Sequence, residues 1–102
     1  MERYNSRGID DVGRVALPGD LRHKLGLNEK YKLLLNPIGT IAVLLKTEDK
    51  PGAGKLVCIL DQLGRIEIPR DVMQTLGWKI TNKLAVYGTG NEIILMLDEN
   101  QT

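Results

Sequence analysis

Few of the 102 residues carry side chains suited to covalent or metal chemistry. Asp10 and Asp11 are adjacent carboxylates, His23 is the single histidine and Cys58 the single thiol. Neighbouring side chains in a strand or turn point apart, so the two aspartates do not converge on one proton or one cation. No histidine or third carboxylate stands at ligand spacing beside them. Their expected task is to shape a turn or pair with an arginine. Cys58 sits in the apolar stretch Leu56 to Leu60 and is expected to be a buried, inert thiol. Gly88-Thr89-Gly90 is too short and too bare of basic neighbours for a phosphate-binding loop. With no nucleophile beside a base, the chain reads as a non-enzyme without metal or cofactor.

The remaining chemistry is that of cations. Lys and Arg total 14 against 13 Asp and Glu, a formal net charge of +1 that by itself argues against a nucleic-acid binder. The halves differ, however. Residues 1–50 hold nine basic and seven acidic side chains, for +2; residues 51–102 hold five and six, for −1. Arg7, Arg14, Arg22 and Lys24 all lie in the basic half, together with His23. Guanidinium groups on a rigid turn or helix edge suit phosphate oxygens and guanine edges, through bidentate hydrogen bonds.

The elements that must position these groups are written twice. Shifting the chain by 51 residues sets Asp10-Asp11-Val12-Gly13-Arg14-Val15-Ala16-Leu17-Pro18 on Asp61-Gln62-Leu63-Gly64-Arg65-Ile66-Glu67-Ile68-Pro69. Asp20, Leu25-Gly26, Lys32-Leu33, Gly39 and Leu44 then fall on Asp71, Leu76-Gly77, Lys83-Leu84, Gly90 and Leu95. About eleven of thirty-six aligned positions are identical. The two copies cover residues 7–46 and 56–97. Residues 47–55, rich in Gly, Pro and charge, read as a linker.

Each copy is expected to fold as ββαββ. A first strand runs near Arg7 to Asp10 or Leu56 to Leu60, and a tight turn follows at Gly13 or Gly64. The second strand, Arg14 to Leu17 or Arg65 to Ile68, ends at a proline, which opens a short helix. That helix closes at Gly26 or Gly77, where a left-handed cap is wanted. Leu21 and Leu25, or Val72 and Leu76, form its apolar stripe. Arg22 and Lys24 flank the stripe and His23 points away from it. Two apolar runs then form a hairpin, around Asn36 to Thr40 in one copy and Gly88 to Asn91 in the other. One copy buries too little apolar area to stand alone, so the two must share a core. The expectation is one mainly β domain over residues 1–102, a small closed barrel with an internal pseudo-two-fold. Pairing within one chain and exchange between two chains both satisfy this requirement. Trp78 is expected to anchor the core or an interface, and Arg65 to pair with Asp61 and hold its turn.

The string Ile9 to Pro18, followed by Leu21-Arg22 and Leu25-Gly26, resembles the AbrB/SpoVT family of bacterial transcription regulators, which are built on swapped-hairpin β-barrels. The likeness covers nearly all of Arg7 to Lys46 and, more weakly, Leu56 to Leu97. It implies an AbrB-like barrel that binds double-stranded DNA, either sequence-specifically or by shape, and regulates transcription. Double-psi and RIFT barrels share the same half-unit, so fold alone does not decide function. Carried over by position, the family's DNA-facing residues are Arg7, Arg14 and Arg22, with His23 and Lys24 beside them. In the second copy the matching positions are Cys58, Arg65, Met73 and Gln74, and only Arg65 keeps its charge. The first repeat is therefore the expected DNA-contacting face, in a homodimer. The rival reading is a protein-interaction module, antitoxin-like or an adaptor barrel, without DNA binding. An antitoxin of this kind carries a long tail, and five residues follow Leu97. The lone cysteine, the polar stretch Met1 to Ser6 and the lack of a membrane-length apolar run fit a cytoplasmic, nucleoid-associated protein without membrane contact.

Overall fold

The computed structural model describes residues 1–46 and 56–99. The expected linker lies outside them. Two helices and eight strands follow in the order β1 Glu2–Gly8, β2 Arg14–Ala16, α1 Gly19–Leu25, β3 Lys32–Ile38, β4 Ile41–Lys46, β5 Leu56–Ile59, β6 Arg65–Glu67, α2 Arg70–Leu76, β7 Lys83–Gly88 and β8 Glu92–Leu97. The 51-residue shift carries α1 onto α2 and β2, β3 and β4 onto the starts of β6, β7 and β8. The repeat in the sequence is thus a repeat in the structure.

The two copies are interleaved within the chain. One antiparallel sheet runs β1-β7-β8-β4-β3-β5, so each copy's first strand lies on the edge of the other copy's hairpin. The centre is the β4–β8 pair, with Val43 opposite Ile94 and Leu44 opposite Ile93. A second ladder pairs β2 with β6, Val15 opposite Ile66. Equivalent positions meet in one core: Val15 and Ile66, Leu17 and Ile68, Leu25 and Leu76, Leu33 and Leu84, Leu44 and Leu95 are all buried. Burying one such aliphatic side chain is worth roughly 1.5–3 kcal/mol, so a copy stripped of its partner loses most of what offsets its chain entropy.

Both helices start after a proline and end on a left-handed glycine, Gly26 at φ 68° and Gly77 at φ 74°. Their buried faces include Leu21 and Leu25, and Val72 and Leu76, as the apolar spacing requires. The segment after each cap crosses to the other copy. Lys30 N–H donates to Leu60 O (2.7 Å), and Thr81 N–H donates to Ile9 O (2.9 Å). Lys30 and Thr81, equivalent under the shift, both hold positive φ, at 67° and 76°. This conformation is costly for a side chain bearing a Cβ, and the cross-copy bonds hold it in place.

Two expectations need correction. The sheet does not close into a barrel, because β1 and β5 end it without pairing to each other and β2–β6 forms a separate ladder. The backbone between β1 and β2 is engaged in its own turn: Asp10 N–H donates to Arg14 O (3.0 Å) and Gly13 N–H to Asp10 O (3.0 Å). The first strand also begins earlier than Arg7, at Glu2, and stops at Gly8 rather than reaching Asp10. Its residues are polar because it is an edge strand, paired on one side only, to β7. Trp78 and Cys58 are buried, as expected.

Candidate nucleic-acid interface

The two Asp-x-x-Gly-Arg turns are built alike. Asp10 Oδ1 accepts from the backbone of Val12 (3.0 Å) and Arg14 (2.7 Å), while Oδ2 accepts from Arg14 Nε (2.8 Å). Asp61 repeats this with Leu63 (2.9 Å), Arg65 N–H (2.8 Å) and Arg65 Nε (2.8 Å). The backbone donors of Arg14 and Arg65, ahead of their guanidinium groups, hold the two carboxyls below the usual range. Gly13 and Gly64 supply the positive φ, 90° and 78°, that the turns demand. The turns are tied across the pseudo-two-fold by Leu17 N–H to Gly64 O and Ile68 N–H to Gly13 O, both 2.9 Å. Arg65 thus holds its turn as expected. Arg14 does the same work in the first copy, with Nε engaged and the rest of its guanidinium unpartnered among the described residues.

Helix α1 carries Arg22, His23 and Lys24 in its last turn. Arg22 folds back so that Nε donates to Leu17 O (3.1 Å), and its guanidinium covers Gly64 of the opposite turn. A Cβ at Gly64 would collide with Arg22 Cζ and its nitrogens. His23 and Lys24 are exposed. Lys24 Nζ reaches Glu2 Oε1 of β1 at 3.5 Å, a solvent-facing pair of little energetic weight. Cations in the last turn also complement the negative end of the helix dipole. Arg7 stands apart on β1, opposite Leu84, and its Nε is buried without a hydrogen-bond partner.

The structure therefore gathers Arg22, His23 and Lys24 on one helical turn and holds Arg14 in its own turn motif; among the described residues no hydrogen bond or ion pair joins Arg7 to them. The second copy lacks this group. Helix α2 has no basic residue in its last turn, where Met73, Gln74 and Thr75 replace Arg22, His23 and Lys24. Arg3 was not singled out from sequence. It lies on β1 with Nη2 3.6 Å from Asp98 and its guanidinium 5.6 Å from the centre of the Tyr87 ring. Its signal was hidden because β1 has no apolar alternation to mark it as a strand. Among the described residues no group of three or more His, Cys, Asp or Glu is placed to hold a metal. No helix there is long and apolar enough to cross a membrane.

No family model and no curated protein matches the chain. Among solved structures, the fold is similar to the solution structure of PHS018 from Pyrococcus horikoshii. The TM-score is 0.53 at 17% identity, covering 96% of this chain and 89% of that one. At that identity the likeness concerns the fold, a small β-rich architecture spanning nearly the whole of both chains.

Proposed function

We propose that the chain is a DNA-binding transcription regulator of AbrB/SpoVT type, a cytoplasmic and nucleoid-associated homodimer with swapped-hairpin ancestry. The observation that carries this reading is the difference between two helices otherwise related by the internal two-fold. α1 ends in Arg22-His23-Lys24, and α2 ends in Met73-Gln74-Thr75. Solubility alone gives no reason to concentrate cations on one of two equivalent helices. Phosphate binding does.

In this reading Lys24 and His23 reach phosphates, and Arg22 presents the guanidinium edge left free beside its bond to Leu17. Arg14 contributes the donors not held by Asp10, and Arg7 adds a cation on the sheet edge. One such face per chain is small, and a homodimer presents two. Exposed Ile59 and Leu63 (56% and 63%) offer apolar surface for that contact. The same residues favour the second reading, a protein-interaction module that does not touch DNA. A titration of labelled duplex at several salt concentrations separates the two. A regulator binds with an affinity that falls steeply with salt, at a log–log slope of about −0.9 per phosphate contact. An interaction module shows no saturable binding to random or AT-rich duplex at low salt.

A further inference from the structure

The internal two-fold provides a comparison between equivalent positions. In one half, Arg22 covers Gly64 and fills the space between helix α1 and the opposite turn. In the other half Met73 replaces Arg22, and the space beside the Val12-Gly13 turn is left as a groove of about 500 Å³. Ile68, Met73 and Trp78 supply the buried apolar side chains of its wall, while Val12 and Ile80 stand 54% and 39% exposed at its rim. This is the size and apolar character of a small-ligand site, not of a packing defect.

Two further features narrow the ligand. Arg70 and Lys79 line the same groove, and neither side chain has a hydrogen-bond or ion-pair partner among the described residues. Glu67 is the one carboxylate there. Trp78, which is 3% exposed, has its indole Nε1 buried without an acceptor. That nitrogen has no surface open to the groove, so the indole contributes apolar wall and the polar end of a ligand falls to Arg70 and Lys79. A ligand with an apolar body and an anionic oxygen-bearing end matches both the lining and the excess of cations. We propose that this groove binds a small organic carboxylate with an aromatic or branched aliphatic body. The groove is shared between helix α2 and the Val12-Gly13 turn and includes none of Arg7, Arg14, Arg22, His23 or Lys24, so its test does not depend on DNA binding.

The test is a two-dimensional NMR titration of the ¹⁵N-labelled protein with phenylacetate and 4-methylpentanoate, with phenylacetamide and phenethylamine as neutral and cationic controls. Trp78 is the only tryptophan, so its indole N–H gives an unambiguous signal. The expected result is saturable shifts of that signal and of Gly13 and Ile80 by the acids, with a Kd of about 1 mM or tighter. The amide should bind about fivefold more weakly, since it lacks the charge that Arg70 and Lys79 attract, and the amine weaker still. Met73→Arg, which installs the residue found in the other half, should close the groove and abolish the shifts while the spectrum stays dispersed. Arg70→Gln with Lys79→Gln changes only exposed side chains; it should erase the preference for acid over amide, and it serves if the arginine variant does not fold. Three outcomes overturn the proposal: shifts that do not saturate, an amide that binds as well as the acid, or groove signals that move with protein concentration alone, which would assign the face to a second copy.

Discussion

The Arg22 guanidinium lies over Gly64, the turn glycine of the opposite repeat, with Arg22 Nε bonded to Leu17 O at 3.1 Å. One side chain thus links helix α1 to the turn that Leu17 already contacts through its own N–H. The equivalent pair, Met73 and Gly13, makes a looser approach, with Met73 Sδ 3.5 Å from where a Cβ on Gly13 would lie.

This difference predicts unequal costs for two equivalent substitutions. Gly64→Ala and Gly13→Ala each force alanine into positive φ, at roughly 1–2 kcal/mol. Gly64→Ala must also displace Arg22 and break its bond to Leu17, adding about 0.5–1.5 kcal/mol. Urea unfolding should rank Gly64→Ala as the more damaging. In an Arg22→Ala background the excess should vanish.

The acid response follows from the turn carboxylates. Asp10 and Asp61 are held below their ordinary values in the folded chain, chiefly by backbone N–H donors. A lowered folded-state value means that this stabilisation is fully present above the unfolded value, about 3.9, and is lost as the pH falls through the folded one. Thermal melts should therefore decline in that acid range. Asp10→Asn and Asp61→Asn should each melt lower at neutral pH and show a shallower decline on acidification.

Cys58 offers a test of the core. Burial, and secondarily the nearby Glu67 carboxylate, pushes its thiol up to about 11, and its Sγ lies 3.6 Å from Glu67 O. Little thiolate exists in the folded protein at pH 8, and what forms is shielded. Reaction with a disulfide reagent should be slow in buffer and fast in urea. A burst of labelling in buffer would show that the β5 edge opens freely.

Trp78 separates size from polarity. Trp78→Ala should cost about 3–5 kcal/mol, as expected for an emptied core site. Trp78→Phe should cost less than about 1.5 kcal/mol, because the indole N–H that it removes has no partner to lose.

Much of this architecture was legible in the sequence because its punctuation is chemical. Gly13, Gly64, Gly26 and Gly77 occupy left-handed positions, Pro18 and Pro69 precede the helices, and Asp61 pairs with Arg65. The early start of β1 was not legible, since an edge strand of Glu2, Arg3, Tyr4, Asn5, Ser6 and Arg7 has no apolar alternation. The positive φ of Lys30 and Thr81 was hidden as well, because it is imposed by bonds to the other repeat and not by residue type. The failure of the sheet to close was not legible either, since which strands pair at long range, β1 with β7 and β5 with β3, is not written in local residue type. For the candidate site, the sequence grouped Arg7, Arg14, Arg22, His23 and Lys24. It took the folded chain to separate the shared duty of Arg14 and Arg65 from the cations that only α1 carries.

The central claim is that the last turn of α1 binds DNA, and the most direct test transfers the character of α2 onto it. Arg22→Met, His23→Gln and Lys24→Thr in one variant replace that turn with the residues of its pseudo-symmetric partner. Fluorescence anisotropy with a labelled duplex, measured across a salt series at neutral pH, should show saturable binding by the wild type. For the variant, the log–log salt slope should be shallower by about two units, one for each lost cation at roughly 0.9 per contact, with the fold retained. A variant that binds as tightly as the wild type with an unchanged slope, or a wild type that does not bind duplex at low salt, would contradict the account.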